Sequence, residues 1–317
     1  MRRRDFIARL GGVAAVWPLA ARAQVTGRHY RVAMLSPQRA PQSFFEELGQ
    51  AGFVEGRNLA IDGRGIGAAA VSYEAVAVEL TKAGPDVFMV AGPEAARAAQ
   101  KATRHIPIVA LADDLLESKL VSSMSHPDGN TTGVAMFAFQ LDVKRLELLH
   151  EALPGARRIA VLADHEPIRN IRALESAARG FDIEIVPFSA RSEEEIIGAI
   201  AAMKATPVEA VNVLASPILW GERSLIHDRL DRHRLPAIWQ WPEAAELGGL
   251  IAYGPGLSGI FGQCARLVAK LLRGSKVIDV PVEQPTGFEL TINLRTAKRL
   301  GIEIPPALLS RADTTLE

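Results

Sequence analysis

The sequence predicts an α/β fold built as two doubly wound parallel-sheet lobes, and three observations carry that expectation. Short apolar runs alternate with amphipathic helical stretches from Tyr30 to Trp241, as parallel strands joined by crossover helices require. The stretch Gly84 to Asp114 reads as one complete unit of strand, tight turn, helix and strand. The two halves also echo one another. RVAML at 31–35 returns as RIAVL at 158–162, and RHIPIVALAD at 104–113 as HRLPAIWQWP at 233–242. Pro107 follows Arg31 by 76 residues, and Pro236 follows Arg158 by 78. Chance similarity between short apolar strands is the alternative; agreement of order and spacing together favours a repeat.

Taken in order, Tyr30 to Leu35 is expected as a strand and Gln42 to Ala51 as a helix with Phe44, Phe45 and Leu48 on its apolar side. Gly52 and Gly56 bracket a turn before a short strand at Asn58 to Ile61, and Val71 to Lys82 has an amphipathic helical pattern. Val87 to Val90 is a continuous apolar run, which suits a strand buried on both faces. Gly92-Pro93 ends it, and a proline in the first helical turn costs no hydrogen bond. Ala95 to Thr103 is then helical, until Pro107 forces the chain extended into Ile108 to Ala112. A helix is expected near Leu115 to Met124, and HPDGN at 126–130 marks a loop before a strand at Thr132 to Phe137.

The second series opens with a helix at Leu141 to Leu153, where Leu146, Leu149 and Leu153 recur at helical spacing. Strands follow at Ile159 to Ala163, Ile183 to Val186 and Val208 to Leu214, with helices at Ile168 to Arg179 and Glu193 to Lys204 between them. Arg223 to His233 is helical and Ala237 to Trp241 a strand.

Composition excludes several functions. Lys+Arg and Asp+Glu each total 36, so no basic field argues for a nucleic-acid partner. Past the N-terminus no apolar run is long enough to span a bilayer. Residues 1–23 read as an export signal: Arg3-Arg4-Asp5-Phe6-Ile7 has the twin-arginine form, Leu10 to Leu19 is a short apolar region, and Ala21-Arg22-Ala23 is a cleavage site. A mature start at Gln24 in the periplasm is expected; an uncleaved anchor is the alternative. Cys264, the only cysteine, sits in an apolar helical pattern and reads as a buried, inert thiol.

In doubly wound sheets the loops at the carboxyl ends of the strands face the ligand crevice. One lobe then offers Ser36-Pro37, Gly92-Pro93-Glu94 and Asp113-Asp114; the other offers Asp164-His165, Ser216-Pro217 and Trp239 to Glu243. Trp239 and Trp241, two apart on an expected strand, would point to one side and could stack a flat group; a place in the core is the other reading. Asp113 and Asp114 could meet an ammonium group, or Asp114 could cap a helix. Gly63-Arg64-Gly65-Ile66-Gly67-Ala68 fits a dinucleotide-binding pattern, but the strand before it is short and second in order, so a surface loop is preferred. The histidines form no paired metal spacing, and no nucleophile elbow is present, so no catalytic residue, metal or cofactor is expected.

The stretches RRDFIARLGG, GFVEGRNL, ATRHIPIV, HPDGNTTGV, KRLELLHEALP, GGLIAYGP and LLRGSKVIDVPVEQPTGFELTINLRTAKRLGIEIPPALLSRAD together carry a family resemblance from end to end. The chain resembles the ABC-transporter substrate-binding proteins of the tryptophan/tyrosine-type branch, which have the type I periplasmic binding fold. The resemblance implies two lobes joined by a hinge that close on a small solute, amino-acid-like or aromatic, and deliver it to an ABC permease in the inner membrane. It implies a monomer with no enzymatic activity. The lobes would comprise 29–133 with about 252–285, and 134–251 with about 286–317, crossing near Gly133, Ala252 and Gln284 to Phe288. A ligand sensor presenting its solute to a receptor is the alternative function. Four strand-end segments depart from the family's common pattern: Gly92-Pro93-Glu94, Asp114-Leu115-Leu116, Asp164-His165 and Trp239-Gln240-Trp241-Pro242. The ligand itself is therefore not carried over.

Overall fold

Periodic apolar runs become strands, and the amphipathic stretches between them become the helices that cover the sheets. A computed structural model describes residues 28–36, 39–63, 72–165, 168 and 170–317. The export signal, Pro37 and most of the glycine-rich loop at 63–68 lie outside the described residues. The first series comprises β1 (Tyr30–Leu35), α1 (Gln42–Gln50), β2 (Leu59–Asp62), α2 (Tyr73–Lys82), β3 (Val87–Ala91), α3 (Pro93–Ala102), β4 (Ile108–Ala112) and β5 (Thr131–Ala135). A 3-10 turn at Ala138–Leu141 leads into the second series. That series runs α4 (Asp142–Ala152), β6 (Arg158–Ala163), α5 (Ile171–Gly180), β7 (Glu184–Ser189), α6 (Glu193–Ala205), β8 (Ala210–Val213), α7 (Pro217–Gly221), α8 (Arg223–Arg232), β9 (Ala237–Trp239), α9 (Glu243–Glu246) and β10 (Ile251–Gly254). The chain ends with α10 (Leu257–Leu272), β11 (Glu289–Asn293), α11 (Leu294–Leu300), α12 (Pro306–Leu309) and β12 (Thr314–Leu316).

The first sheet has the order β2-β1-β3-β4-β5, and the second β12-β11-β10-β9-β8-β6-β7. Read from β7 inward, β7-β6-β8-β9-β10 repeats the order of the first sheet, and all of these pairs are parallel. The strands carrying RVAML and RIAVL hold equivalent places, and so do β4 and β9. The second sheet is extended by β11, antiparallel to β10, and by β12. In each sheet the order reverses beside the first strand of its series, and a crevice opens at the carboxyl ends there.

Each sheet is covered on both faces. In the first, Val32, Met34 and Val109 pack with Phe44, Leu48 and Leu267, while Leu35, Phe88 and Ala110 face Ala95 and Ala99. Helix α10 belongs to this first core, although β10 and β11 on either side of it in sequence belong to the second sheet. Cys264 on α10 is fully buried, and burial pushes its thiol pKa up, so it is inert as expected.

The chain passes between the sheets at 136–137, 255–256 and 284–288. Gly133 lies within β5, where a Cβ would stand 1.8 Å from the Ala110 carbonyl oxygen; its role is close strand approach. Ala252 lies within β10. One side chain ties two of these passages together. Arg145 Nε donates to the Tyr253 carbonyl at 2.8 Å, and its Nη1 donates to the Ala138 carbonyl at 3.0 Å and to Asp142 Oδ1 at 2.6 Å.

Two expected elements differ. Leu115 to Met124 forms turns instead of a helix. Asp114 Oδ1 accepts from the Leu116 and Glu117 amides, starting one turn, but Lys119 adopts φ 55° and ends it. The serines that follow bond locally, a competition that disfavours helix. The strand expected at Ala237 to Trp241 stops at Trp239, because Pro242 at φ −49° starts α9.

Candidate functional site

The carboxyl ends of both sheets face each other across one cleft of about 570 Å³, a size suited to a small molecule. Of the expected residues, Ser36, Gly92, Pro93, Glu94 and Asp113 line it from the first sheet, and Asp164, His165, Ser216, Trp241 and Glu243 from the second. Strand-end chemistry explains the placement. Gly92 takes φ 94° as β3 turns into α3, a conformation that favours glycine. Ser216 caps α7, accepting from the Ile218 and Leu219 amides at 3.1 Å each. Asp113 Oδ1 accepts from the Ala138 and Phe139 amides, so the end of β4 is fixed to the chain's first passage between sheets.

Contacts span the cleft. An added Cβ on Gly92 would stand 3.6 Å from Pro217 Cγ. Arg191 Nη2, at the start of α6, donates to Glu94 Oε1 on α3 at 3.2 Å. Trp241, Ala215 and Trp220 from the second series pack against the core of the first, beside Leu257 and Phe261. The Trp220 and Trp241 rings meet edge to face with centroids 5.0 Å apart.

The floor of the cleft holds carboxylates whose environments differ. Burial would raise the Asp164 pKa, but hydrogen bonds from His165 Nδ1 and Ser216 Oγ, 2.6 Å each, outweigh it and hold the group low. Asp142 is raised to about 7: burial dominates over the attraction of Arg145, and Asp113 adds to the rise. Burial also raises Glu243, one of whose oxygens accepts from the Ser258 amide at 3.3 Å while Oε2 is buried without a partner. Among the described residues no group of three or more His, Cys, Asp or Glu is placed to hold a metal ion.

Two expected site residues lie elsewhere. Trp239 is fully buried in the second core, stacked on His227 with centroids 4.2 Å apart. The two tryptophans do not share a face, since the strand ends between them and only Trp241 turns to the cleft. Asp114 is spent on its turn and does not line the cleft.

The structure adds residues that the strand-end argument passed over. Arg39, Arg97, Arg191 and Arg223 bring four guanidinium groups, and Phe139, Trp220 and Phe261 widen the aromatic wall. Their nearest signals were indirect. Trp220 follows the flagged Ser216-Pro217 turn by one helical turn, and Phe261 lay within the apolar pattern that contains Cys264.

Comparison with known proteins agrees with this architecture. A family model described as ABC transporter substrate binding protein matches residues 36–316. A tyrosine-binding protein of Clostridioides difficile is 24% identical over 275 residues, covering 84% of this chain and 78% of that protein. The crystal structure of a conserved domain protein from Vibrio cholerae superposes with a TM-score of 0.81 at 24% identity, over 91% of this chain and 100% of that one. An ABC domain from Streptococcus pneumonia in complex with L-Trp gives a TM-score of 0.78 at 19% identity, with the same coverage.

Proposed function

The chain belongs to the ABC transporter substrate binding protein family, and from that premise we propose that its cleft captures a small solute with an aromatic or apolar part. The solute is amino-acid-like in size and is delivered to a permease in the inner membrane. The observation that carries this reading is the wall of Trp220, Trp241, Phe139 and Phe261 on a cleft built by both sheets. Such rings bury a flat group without needing its polar atoms to match. The tyrosine- and L-Trp-binding relatives support the same class of solute.

In this reading the lobes are the two sheet units, 30–135 with 257–283 and 138–254 with 289–316. They close by a hinge at the three chain passages, with the cleft residues meeting the solute from both sides. The protein works in the periplasm as a monomer. The twin-arginine pattern and the cleavage site near Ala23 support export, and no described helix is long and apolar enough to cross a membrane.

A thermal-shift screen of amino acids, aromatic acids, sugars and purines tests the solute class. A true solute at about 100 times its Kd stabilises the protein by about 2.7 kcal/mol. Stabilisation by sugars alone, with aromatic compounds inert, would overturn the aromatic reading.

A further inference from the structure

The charges of the cleft do not cancel in the way that equal numbers of acids and bases suggest. Each carboxylate lining it has a partner. Glu94 meets Arg191, Asp142 meets Arg145, Asp164 meets His165 and Ser216, Asp113 holds two amides, and Glu243 accepts from the Ser258 amide. Burial moreover pushes Asp142 and Glu243 toward their neutral forms.

The arginines divide differently. Arg191 is spent on Glu94, and Arg223 lies over the Trp220 ring at 4.7 Å with its Nη1 on the Trp220 carbonyl. Arg39 rests on the Phe45 ring at 5.5 Å and has no ion pair among the described residues. The Arg97 side chain, on α3, has neither a hydrogen bond nor an ion pair among the described residues. Both belong to the first lobe, and both line the cleft. Two guanidinium groups without an ion pair among the described residues therefore line the same cleft as Trp220 and Trp241 of the second series.

We propose that the solute carries a carboxylate, and that Arg39 and Arg97 are the residues that select it while the aromatic wall holds its ring. This deepens the proposed function and rests on its reading of the cleft as the solute site. An arginine fork matches a carboxylate geometrically, through two parallel N–H···O bonds. An ammonium group would have to compete with Arg191 for Glu94, with Arg145 for Asp142, and with His165 and Ser216 for Asp164.

The test is calorimetry of the purified protein with three probes that share one ring. L-Tyrosine carries both charges, 3-(4-hydroxyphenyl)propionate the carboxylate only, and tyramine the ammonium only. The propionate should bind about tenfold or more tighter than tyramine, a difference large enough to resolve. Arg39→Gln and Arg97→Gln should each weaken the propionate several-fold and leave tyramine unaffected. Both side chains are exposed, so an unchanged melting temperature will show that folding is intact. Tyramine binding as tightly as the propionate would overturn the inference, as would undiminished propionate affinity in the double variant; in either case the aromatic reading of the cleft stands. If none of the three probes binds, that reading fails and this inference fails with it.

Discussion

Glu94 Oε1 and Arg191 Nη2 stand 3.2 Å apart across the cleft, joining the first turn of α3 to the segment that opens α6. Both side chains are more than half exposed, so the pair is screened and contributes about 0.2–1 kcal/mol. Its value lies in geometry, because it joins a helix of the first series to the start of a helix of the second across the cleft. Glu94→Gln should leave thermal stability nearly unchanged and lower solute affinity by about twofold to fivefold, an effect that fades at high salt. A titration in low and high salt checks this.

The two tryptophans of the WQW segment should behave oppositely. Trp239 is enclosed by the second core and by Gly249, where an added Cβ would stand 2.8 Å from its ring. Trp239→Ala should cost about 3–5 kcal/mol of stability, measured by denaturant unfolding. Trp241→Phe keeps an aromatic ring in the wall, so it should weaken solute binding while costing less stability than Trp239→Ala.

His227 makes stability fall in acid. Burial lowers its pKa to about 4 from an ordinary 6.5, with Arg223 adding to the effect. Between those values the unfolded chain binds a proton that the folded chain refuses, so stability decreases as pH falls from 6.5 to 4. The slope from this group approaches about 1.4 kcal/mol per pH unit at its steepest. Asp142 acts in the opposite sense, since its raised pKa lets the folded chain hold a proton up to about 7. His227→Phe preserves the stack on Trp239, and the difference between variant and parent across this pH range isolates the histidine.

Arg145 should be the costliest single charge to remove. It is fully buried, holds Asp142, and donates to the carbonyls of Ala138 and Tyr253, which flank two of the chain passages between the sheets. Arg145→Met leaves Asp142 buried without its cation and two carbonyls without a donor. A loss of about 3–5 kcal/mol is expected from equilibrium unfolding.

Much of this was legible before the structure, for physical reasons that also explain the gaps. A parallel strand buried on both faces must be an unbroken apolar run, and a ligand-facing loop follows it directly. Val87 to Ala91 followed by Gly92, and Arg158 to Ala163 followed by Asp164, show that signal. The equivalence of β1 with β6 was readable because buried strands tolerate few residue types. Trp239 was harder to place, since alternation within a strand says nothing about where the strand stops; Pro242 decided that. Arg97, Trp220 and Phe261 sit on helices, and which face of a helix meets a cleft depends on packing between distant segments. The turn at Leu115 to Lys119 turned on Asp114 bonding its own backbone, a local competition that apolar spacing does not reveal.

The most direct test of the account is a small-angle scattering titration of the protein with L-tyrosine and 3-(4-hydroxyphenyl)propionate. A solute-binding protein that closes over its ligand should become more compact, and the change should saturate at the concentration that saturates thermal stabilisation. The ligand should be recovered chemically unchanged. Binding with no change in dimensions, or conversion of the compound, would contradict the claim that this cleft captures solutes by closure.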